Sequence, residues 1–189
     1  HIPKNGGTSI KHLCQKYNDL NITYNGHDAK VNELKNQIVI LRNPYDRFIS
    51  SVQYAYENYG ESPQMKEIIR IGLTTPNDWV EAWSDINHIG HDAILNEIKN
   101  ISHKIDSKHI PLKWTYCPQY YWVNDDNIKY VVSYDNLNEF VLDTFRKILP
   151  VMNESKPIKN CKLSNNSKKF LRNKYIKDFE MIDYFKAKY

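Results

Sequence analysis

Long apolar runs are absent from this sequence, and cysteine, glycine and proline are scarce. No stretch approaches the roughly 20 apolar residues that a membrane-spanning helix needs, so the sequence predicts no membrane segment. The 3 cysteines, Cys14, Cys117 and Cys161, have the spacing of neither a disulfide framework nor a zinc site. The 6 glycines and 8 prolines form no repeat or low-complexity tract. These absences argue against membrane-spanning, disulfide-stapled and repeat proteins.

The remaining composition is typical of one globular domain. The 189 residues are 41% hydrophobic and 13% aromatic, which is enough for a real core, and no shift in composition marks a second domain. We therefore predict a single domain over residues 1–189. The chain begins at His1 rather than Met, which leaves room for an anchor or a strand upstream. Cytoplasmic and Golgi-lumenal locations are both compatible with the sequence.

The net charge of +4 comes mostly from lysines spread along the chain. Such a balance fits a protein that binds small anions and does not require nucleic acid as a partner.

Strand and helix patterns alternate along the chain. The apolar run Ile38 to Leu41 is typical of a buried parallel strand and is followed by a helical pattern from Tyr45 to about Tyr56. "IKYVVSY" predicts a second buried strand, and "NDLNITYNG" predicts a short one. We expect an α/β layered fold with a mostly parallel sheet flanked by helices. Arg42 then lies at the carboxyl end of a strand, where such sheets bind ligands.

Capping patterns mark the starts of two further helices. In "TPNDWVEAWSDI", Thr75 can cap the helix and Asp78 complements its dipole. In "DNLNEFVLDTFRKIL", Asn136 and Glu139 are spaced as a capping box.

The opening stretch "HIPKNGGTSI" has the composition of an anion-binding loop. A helix is predicted from Thr8 to about Tyr17, so unpaired amides and the positive end of the helix dipole converge on the glycines. An ordinary turn with a helix cap is the alternative. The loop is not a Walker A motif, because Lys4 precedes the glycines instead of following them. A Mg²⁺ apparatus is not obvious, although Asp135 follows the second buried strand.

Two motifs resemble those of sulfotransferases that use 3′-phosphoadenosine 5′-phosphosulfate (PAPS). "HIPKNGGTS" is similar to the 5′-phosphosulfate loop of the carbohydrate-directed branch, related to the heparan sulfate 2-O- and 6-O-sulfotransferases, whose usual form is H-I-P-K-T-G-G-T-S. Asn5 stands where that form has threonine. "RNPYDRFIS", Arg42 to Ser50, resembles the second element, R-[DN]-P-x-x-R-x-x-S. Weaker similarity continues through "CPQYYWV", "YVVSYDNL" and "YIKDFEMIDYF" and covers most of the chain.

The resemblance implies a P-loop-like fold and a set of donor contacts. The 5′-phosphate is expected at the loop, and Lys4 is expected to neutralise the bridging oxygen as the sulfuryl group leaves. Arg42 and Ser50 would grip the 3′-phosphate, with a strand-end salt bridge and a surface serine as the alternative. Arg47 would brace the motif. The expected donor-binding residues are Lys4, Asn5, Gly6, Gly7, Thr8, Ser9, Arg42 and Ser50, with PAP as the product and no metal.

The acceptor hydroxyl also needs a base, and the resemblance implies His27. It lies in "YNGHDAKVNEL", between the strand predicted in "NDLNITYNG" and the strand predicted at Ile38 to Leu41, and an imidazole of ordinary pKa can accept the proton. A solvent-exposed loop histidine is the alternative. The aromatic stretch Trp114 to Trp122 can stack on a sugar ring or on adenine, or belong to the core. Within it, Gln119 is a candidate acceptor contact. The run "NSKKFLRNK" can attract an acidic polysaccharide or form a solvated helix face.

These features predict a metal-independent sulfotransferase that moves a sulfuryl group from PAPS to a hydroxyl, on a carbohydrate such as a glycan or polysaccharide. A nucleotide-dependent kinase with a degenerate phosphate loop is the second enzyme class. A polyanion-binding module that keeps the fold without turnover is the third possibility. Mg²⁺-dependent ATP binding would favour the kinase, and PAP binding without transfer would favour the module.

Overall fold

The computed structural model describes residues 2, 4–24, 36–99, 117–123, 127–150 and 161–188. In this part of the chain the fold is mixed α/β. The helices are α1 (Gly7–Lys16), α2 (Pro44–Tyr59), α3 (Pro63–Arg70), α4 (Pro76–Ser84), α5 (His91–Lys99), α6 (Leu137–Phe145), α7 (Asn165–Lys174) and α8 (Ile176–Lys188). The strands are β1 (Gln37–Leu41) and β2 (Ile128–Ser133), and Gln119–Trp122 and Tyr134–Asn136 are short 3-10 helices.

The two strands form a parallel pair. Ile38 lies opposite Tyr130 and Leu41 opposite Ser133, with an irregularity between Gln37 and Ile38. Because the strands are parallel, their carboxyl ends meet at one edge, and Arg42 and Tyr134 follow directly. The parallel sheet expected from the apolar runs is thus confirmed for this pair, and its extension into a layered P-loop-like sheet stays a prediction.

The described residues fall into two compact units. The first takes its residues from His1–Asn43, Gln119–Glu154 and Glu180–Tyr189, and the second from Pro44–Pro118 and Ser155–Phe179. The prediction of one domain over residues 1–189 stays a prediction.

The core of the first unit lies on one face of the strand pair. Leu13 of α1, Val132 of β2, and Leu137 and Val141 of α6 are buried together, with Ile38 and Ile40 packed against them. The apolar spacing of α1 and the continuous apolar run of β1 therefore act together: each supplies one side of the same cluster. Their packing fixes the start of α1 beside the end of β1.

The second unit has its own apolar core. Residues of α2, α3, α4, α5 and α7 contribute, and its large buried members include Phe48, Met65, Trp79, Leu171 and Tyr175. Burial raises the pKa of the Tyr175 hydroxyl. This core fixes the position of α7 on α4.

Two local predictions from the sequence are wrong. Residues 21–24 adopt no regular secondary structure, so the short strand expected in "NDLNITYNG" is not formed there. Asn136 precedes α6 but makes no side-chain capping hydrogen bond, because it closes a 3-10 turn with φ −100° and ψ 9° instead of an extended conformation. By contrast, Thr75 and Asp78 form the expected cap of α4 as a reciprocal capping box.

Within the described residues, no helix is both long and apolar enough to cross a membrane.

Candidate anion-binding site

The opening loop turns sharply into α1. Lys4 and Gly6 have left-handed backbones, with φ 64° and 79°, and the amide of Ile10 makes the first helical hydrogen bond, 3.1 Å to the carbonyl of Gly6. The amides of the first helical turn have no intrahelical partner in any α-helix. No acidic residue lies in this turn, so its positive end is not neutralised locally. The start of α1 is therefore suited to an anion.

Gly6 is required by space as well as by conformation. A Cβ atom at this position would lie 2.8 Å from Cδ2 of Leu137 and 3.3 Å from the ring of Tyr134. A left-handed backbone also disfavours any residue with a Cβ. Glycine thus allows the loop to lie directly on α6 and on the end of β2.

Asn5 joins the loop to the first strand. Its side chain is 2% exposed, and Nδ2 donates to the carbonyl of Ile40 at 2.7 Å and to Oε1 of Gln119 at 2.6 Å. Its Oδ1 is buried without a hydrogen-bond partner among the described residues. The amide nitrogen of Asn5 is thus already used within the protein. Its role as a contact to PAPS stays a prediction.

Gln119 continues this connection to the end of β1. Its Oε1 accepts from the amide of Arg42 at 3.1 Å, while its Nε2 donates to the carbonyl of Arg42 at 2.8 Å. The side-chain amide therefore pairs with both backbone groups of one residue, as a neighbouring strand would. Gln119 is fully buried and its side-chain amide already pairs with Asn5 and Arg42, so its role as a contact to the acceptor stays a prediction.

Arg42 holds the loop from the strand side. Its Nη1 donates to the carbonyl of Lys4 at 3.0 Å, and its guanidinium carbon lies 4.3 Å from the centre of the Tyr134 ring. Its Nε is buried and has no partner among the described residues. Stacking on the ring orients the guanidinium, and the unpartnered N–H remains as a donor for an anion.

The predicted site residues divide into three groups. Lys4, Asn5, Gly6, Gly7, Thr8, Ser9 and Arg42 belong to the first unit, where Arg42 and Asn5 join the loop to the end of β1. Ser50 is buried in α2 of the second unit, so its pairing with Arg42 stays a prediction. His27 lies outside the described residues. Arg47 is 1% exposed in the second unit, which agrees with a structural role.

Sequence reasoning missed Tyr134 and the contacts that Gln119 makes with Asn5 and Arg42. Tyr134 directly follows the second buried strand, so the parallel pairing of the strands was a signal that could have placed it beside Arg42. Gln119 carries no such signal, because its role depends on contacts across 77 and 114 positions of the chain.

Comparison with known proteins gives no match for this chain among protein-family models, curated proteins or solved structures.

Proposed function

We propose that this protein is a PAPS-dependent sulfotransferase with a P-loop-like layered fold, acting on a hydroxyl of a carbohydrate. One observation carries the proposal: the two motifs that resemble the family are hydrogen-bonded to each other. Arg42, which opens the second motif, donates to the carbonyl of Lys4 in the first, although 38 positions separate them. Independent chance matches would have no reason to meet.

The donor set of this site fits a phosphosulfate anion. The start of α1 offers unpaired amides, Lys4 and Arg42 contribute positive charge, and Nε of Arg42 is a buried donor without a described partner. Neutral or cationic ligands would gain nothing from this arrangement. The fit supports an anionic sulfuryl donor such as PAPS.

PAPS supplies the sulfuryl group when bound, and the protein supplies position and charge. The amides of Gly6, Gly7, Thr8 and Ser9 would hold the 5′-phosphate, and Lys4 would neutralise charge on the oxygen that leaves. Arg42 and Ser50 would hold the 3′-phosphate. His27 would take the proton from the acceptor hydroxyl. As in phosphoryl transfer, positioning and charge stabilisation then provide most of the rate enhancement.

Calorimetric titration with PAP, AMP and ADP tests the donor assignment. PAP should bind more tightly than AMP or ADP without added Mg²⁺, because only PAP carries the 3′-phosphate. Arg42→Ala should weaken PAP by about 1.5–3 kcal/mol, the range for hydrogen bonds to charged groups, and should weaken AMP less, because AMP lacks the 3′-phosphate.

Arg42→Lys is the matched variant, since it keeps the charge but cannot reproduce the stacked, forked guanidinium. We expect intermediate affinity for PAP. Equal binding of the three nucleotides, or an absolute need for Mg²⁺, would refute the donor assignment and favour a kinase. A labelled-sulfate assay on glycans and small alcohols then tests transfer itself.

A further inference from the structure

Helix α7 carries an unusual concentration of positive charge within the second unit. Residues 161–177 include Lys162, Lys168, Lys169, Arg172, Lys174 and Lys177 and contain no Asp or Glu. Ser164 caps the helix, with Oγ accepting from the amide of Ser167 at 3.1 Å. The cations therefore lie on a defined helix rather than on a loose tail.

Three of these side chains form one exposed face. Lys168, Lys169 and Arg172 are exposed, whereas Ser167 and Leu171 are buried against the core of the unit. At about 100° per residue, the three cations lie within an arc of about 100°, whose centre is about 110° from Leu171. We call Lys168, Lys169 and Arg172 the cationic face.

The cationic face is not neutralised by the described residues. None of its three members forms an ion pair in the part of the chain that the structure describes. The carboxylates of the adjacent α4 have other partners: Asp78 accepts from Thr74 and Thr75, and Glu81 accepts from Asn77. No carboxylate of the described residues therefore competes with an external anion for the cationic face.

The surroundings of the cationic face indicate what kind of anion it suits. Phe170 packs edge-on against Trp83 at 5.2 Å, and the guanidinium of Arg172 lies 4.9 Å from the ring of Phe179. These rings are packed against the core and are not free to stack on nucleotide bases. Asn165 and Asn173 are exposed on α7 and offer amides to hydroxyl and sulfate oxygens. Cations interspersed with amides suit a hydroxyl-rich polyanion.

We propose that the cationic face binds an acidic polysaccharide. The inference rests on the proposed function only in taking that polysaccharide as the acceptor, since the binding itself requires no turnover. Retention by such a surface would raise the local concentration of a weakly bound acceptor chain.

Binding to heparin, a sulfated polysaccharide, tests the inference on the full chain. The variant Lys168→Gln/Lys169→Gln/Arg172→Gln should weaken heparin binding about 10- to 100-fold at constant salt and should reduce its salt dependence, because fewer counterions are displaced. The control Lys66→Gln/Lys129→Gln/Lys186→Gln removes the same charge from exposed positions elsewhere. It should weaken binding no more than about threefold.

The two triple variants also separate this inference from the proposed function. PAP affinity and circular dichroism should be unchanged in both, and KM for a polysaccharide acceptor should rise only in the α7 variant. Equal losses of heparin binding in the two variants would overturn the inference, as would tighter binding of single-stranded DNA of matched length and charge. If the wild type binds no PAP but its heparin binding depends on the cationic face, the proposed function fails and the surface assignment stands.

Discussion

At the scale of single residues, the proposed function assigns to Lys4 the charge that neutralises the leaving oxygen. Its carbonyl accepts from Arg42, so its main chain is fixed beside the start of α1. Lys4→Ala should lower the transfer rate more than it weakens PAP binding, because the bridging oxygen gains charge chiefly in the transition state. Single-turnover rates and PAP titrations measure the two effects separately. If affinity collapses while the bound complex still reacts at the wild-type rate, Lys4 is a ground-state clamp.

His27 is the residue whose assignment depends most on the resemblance. A base that accepts the hydroxyl proton must be neutral, so the wild-type rate should fall as the pH drops through the ordinary imidazole range. His27→Ala should keep PAP affinity and lose roughly 10²–10⁴-fold in transfer, the usual contribution of a positioned base. The acidic limb of the pH–rate profile should then disappear. An active variant with an unchanged acidic limb would assign the base to another residue, with His1 and His109 the next candidates.

Gly6 offers a test of the loop that needs no ligand. Gly6→Ala combines a left-handed backbone with a Cβ only 2.8 Å from Leu137, whereas Gly72, with φ 86°, has no atom within 4 Å of the added Cβ. Gly72→Ala should cost about 1 kcal/mol from backbone strain alone, and Gly6→Ala about 1–3 kcal/mol more from overpacking. Urea unfolding of both variants measures the difference. Equal losses would mean that the loop does not pack on α6 as described.

At the scale of elements, the contact between the loop and β1 includes one buried pair of amides. Asn5 donates to Gln119, and Gln119 in turn pairs with the backbone of Arg42. Asn5→Leu and Gln119→Leu each leave buried groups without partners, at about 1–3 kcal/mol apiece. A double-mutant cycle on unfolding free energies should give a coupling of about 0.5–3 kcal/mol. Additive losses would show that the two amides stabilise the fold independently.

Elements with strong local patterns were predictable from the sequence. The apolar spacing of Ile10, Leu13 and Tyr17 marks α1, and the observed helix, Gly7–Lys16, begins and ends within one residue of the prediction. The continuous apolar runs predict β1 and β2, because parallel strands that are covered by other elements are apolar along their whole length. The capping box of α4 is predictable from the sequence because its partners, Thr75 and Asp78, are 3 positions apart. In each case the stabilising contacts are encoded nearby.

Elements and contacts that depend on distant partners were not predictable. "NITY" has the composition of a strand, but residues 21–24 form none, since strand propensity alone provides no hydrogen-bonding partner. Gln119 was predicted as a contact to the acceptor within an aromatic stretch, and the structure shows it fully buried against Asn5 and Arg42. No local sequence pattern distinguishes a glutamine that binds a sugar from one whose side chain pairs with the backbone of a distant strand end.

At the scale of the whole molecule, the described residues form two compact units. Lys4 and Arg42 belong to the first and Ser50 to the second. Each unit has its own apolar cluster, so each has a source of stability within itself. A single domain was nevertheless predicted from the composition, and cooperative unfolding is the property that defines it.

Calorimetric unfolding with and without PAP tests both whether the chain unfolds as one domain and whether PAP stabilises it. A single domain should unfold in one transition, and PAP at about 100 times its dissociation constant should stabilise it by about 2.7 kcal/mol, because the ligand binds the folded state alone. For a chain of 189 residues this corresponds to a rise in Tm of roughly 5–10 °C. AMP at the same concentration is the control and should raise Tm less, since it lacks the 3′-phosphate.

Two separate transitions would contradict the single domain. If PAP then moved only one of them, the donor contacts would be confined to the unit that unfolds in that transition.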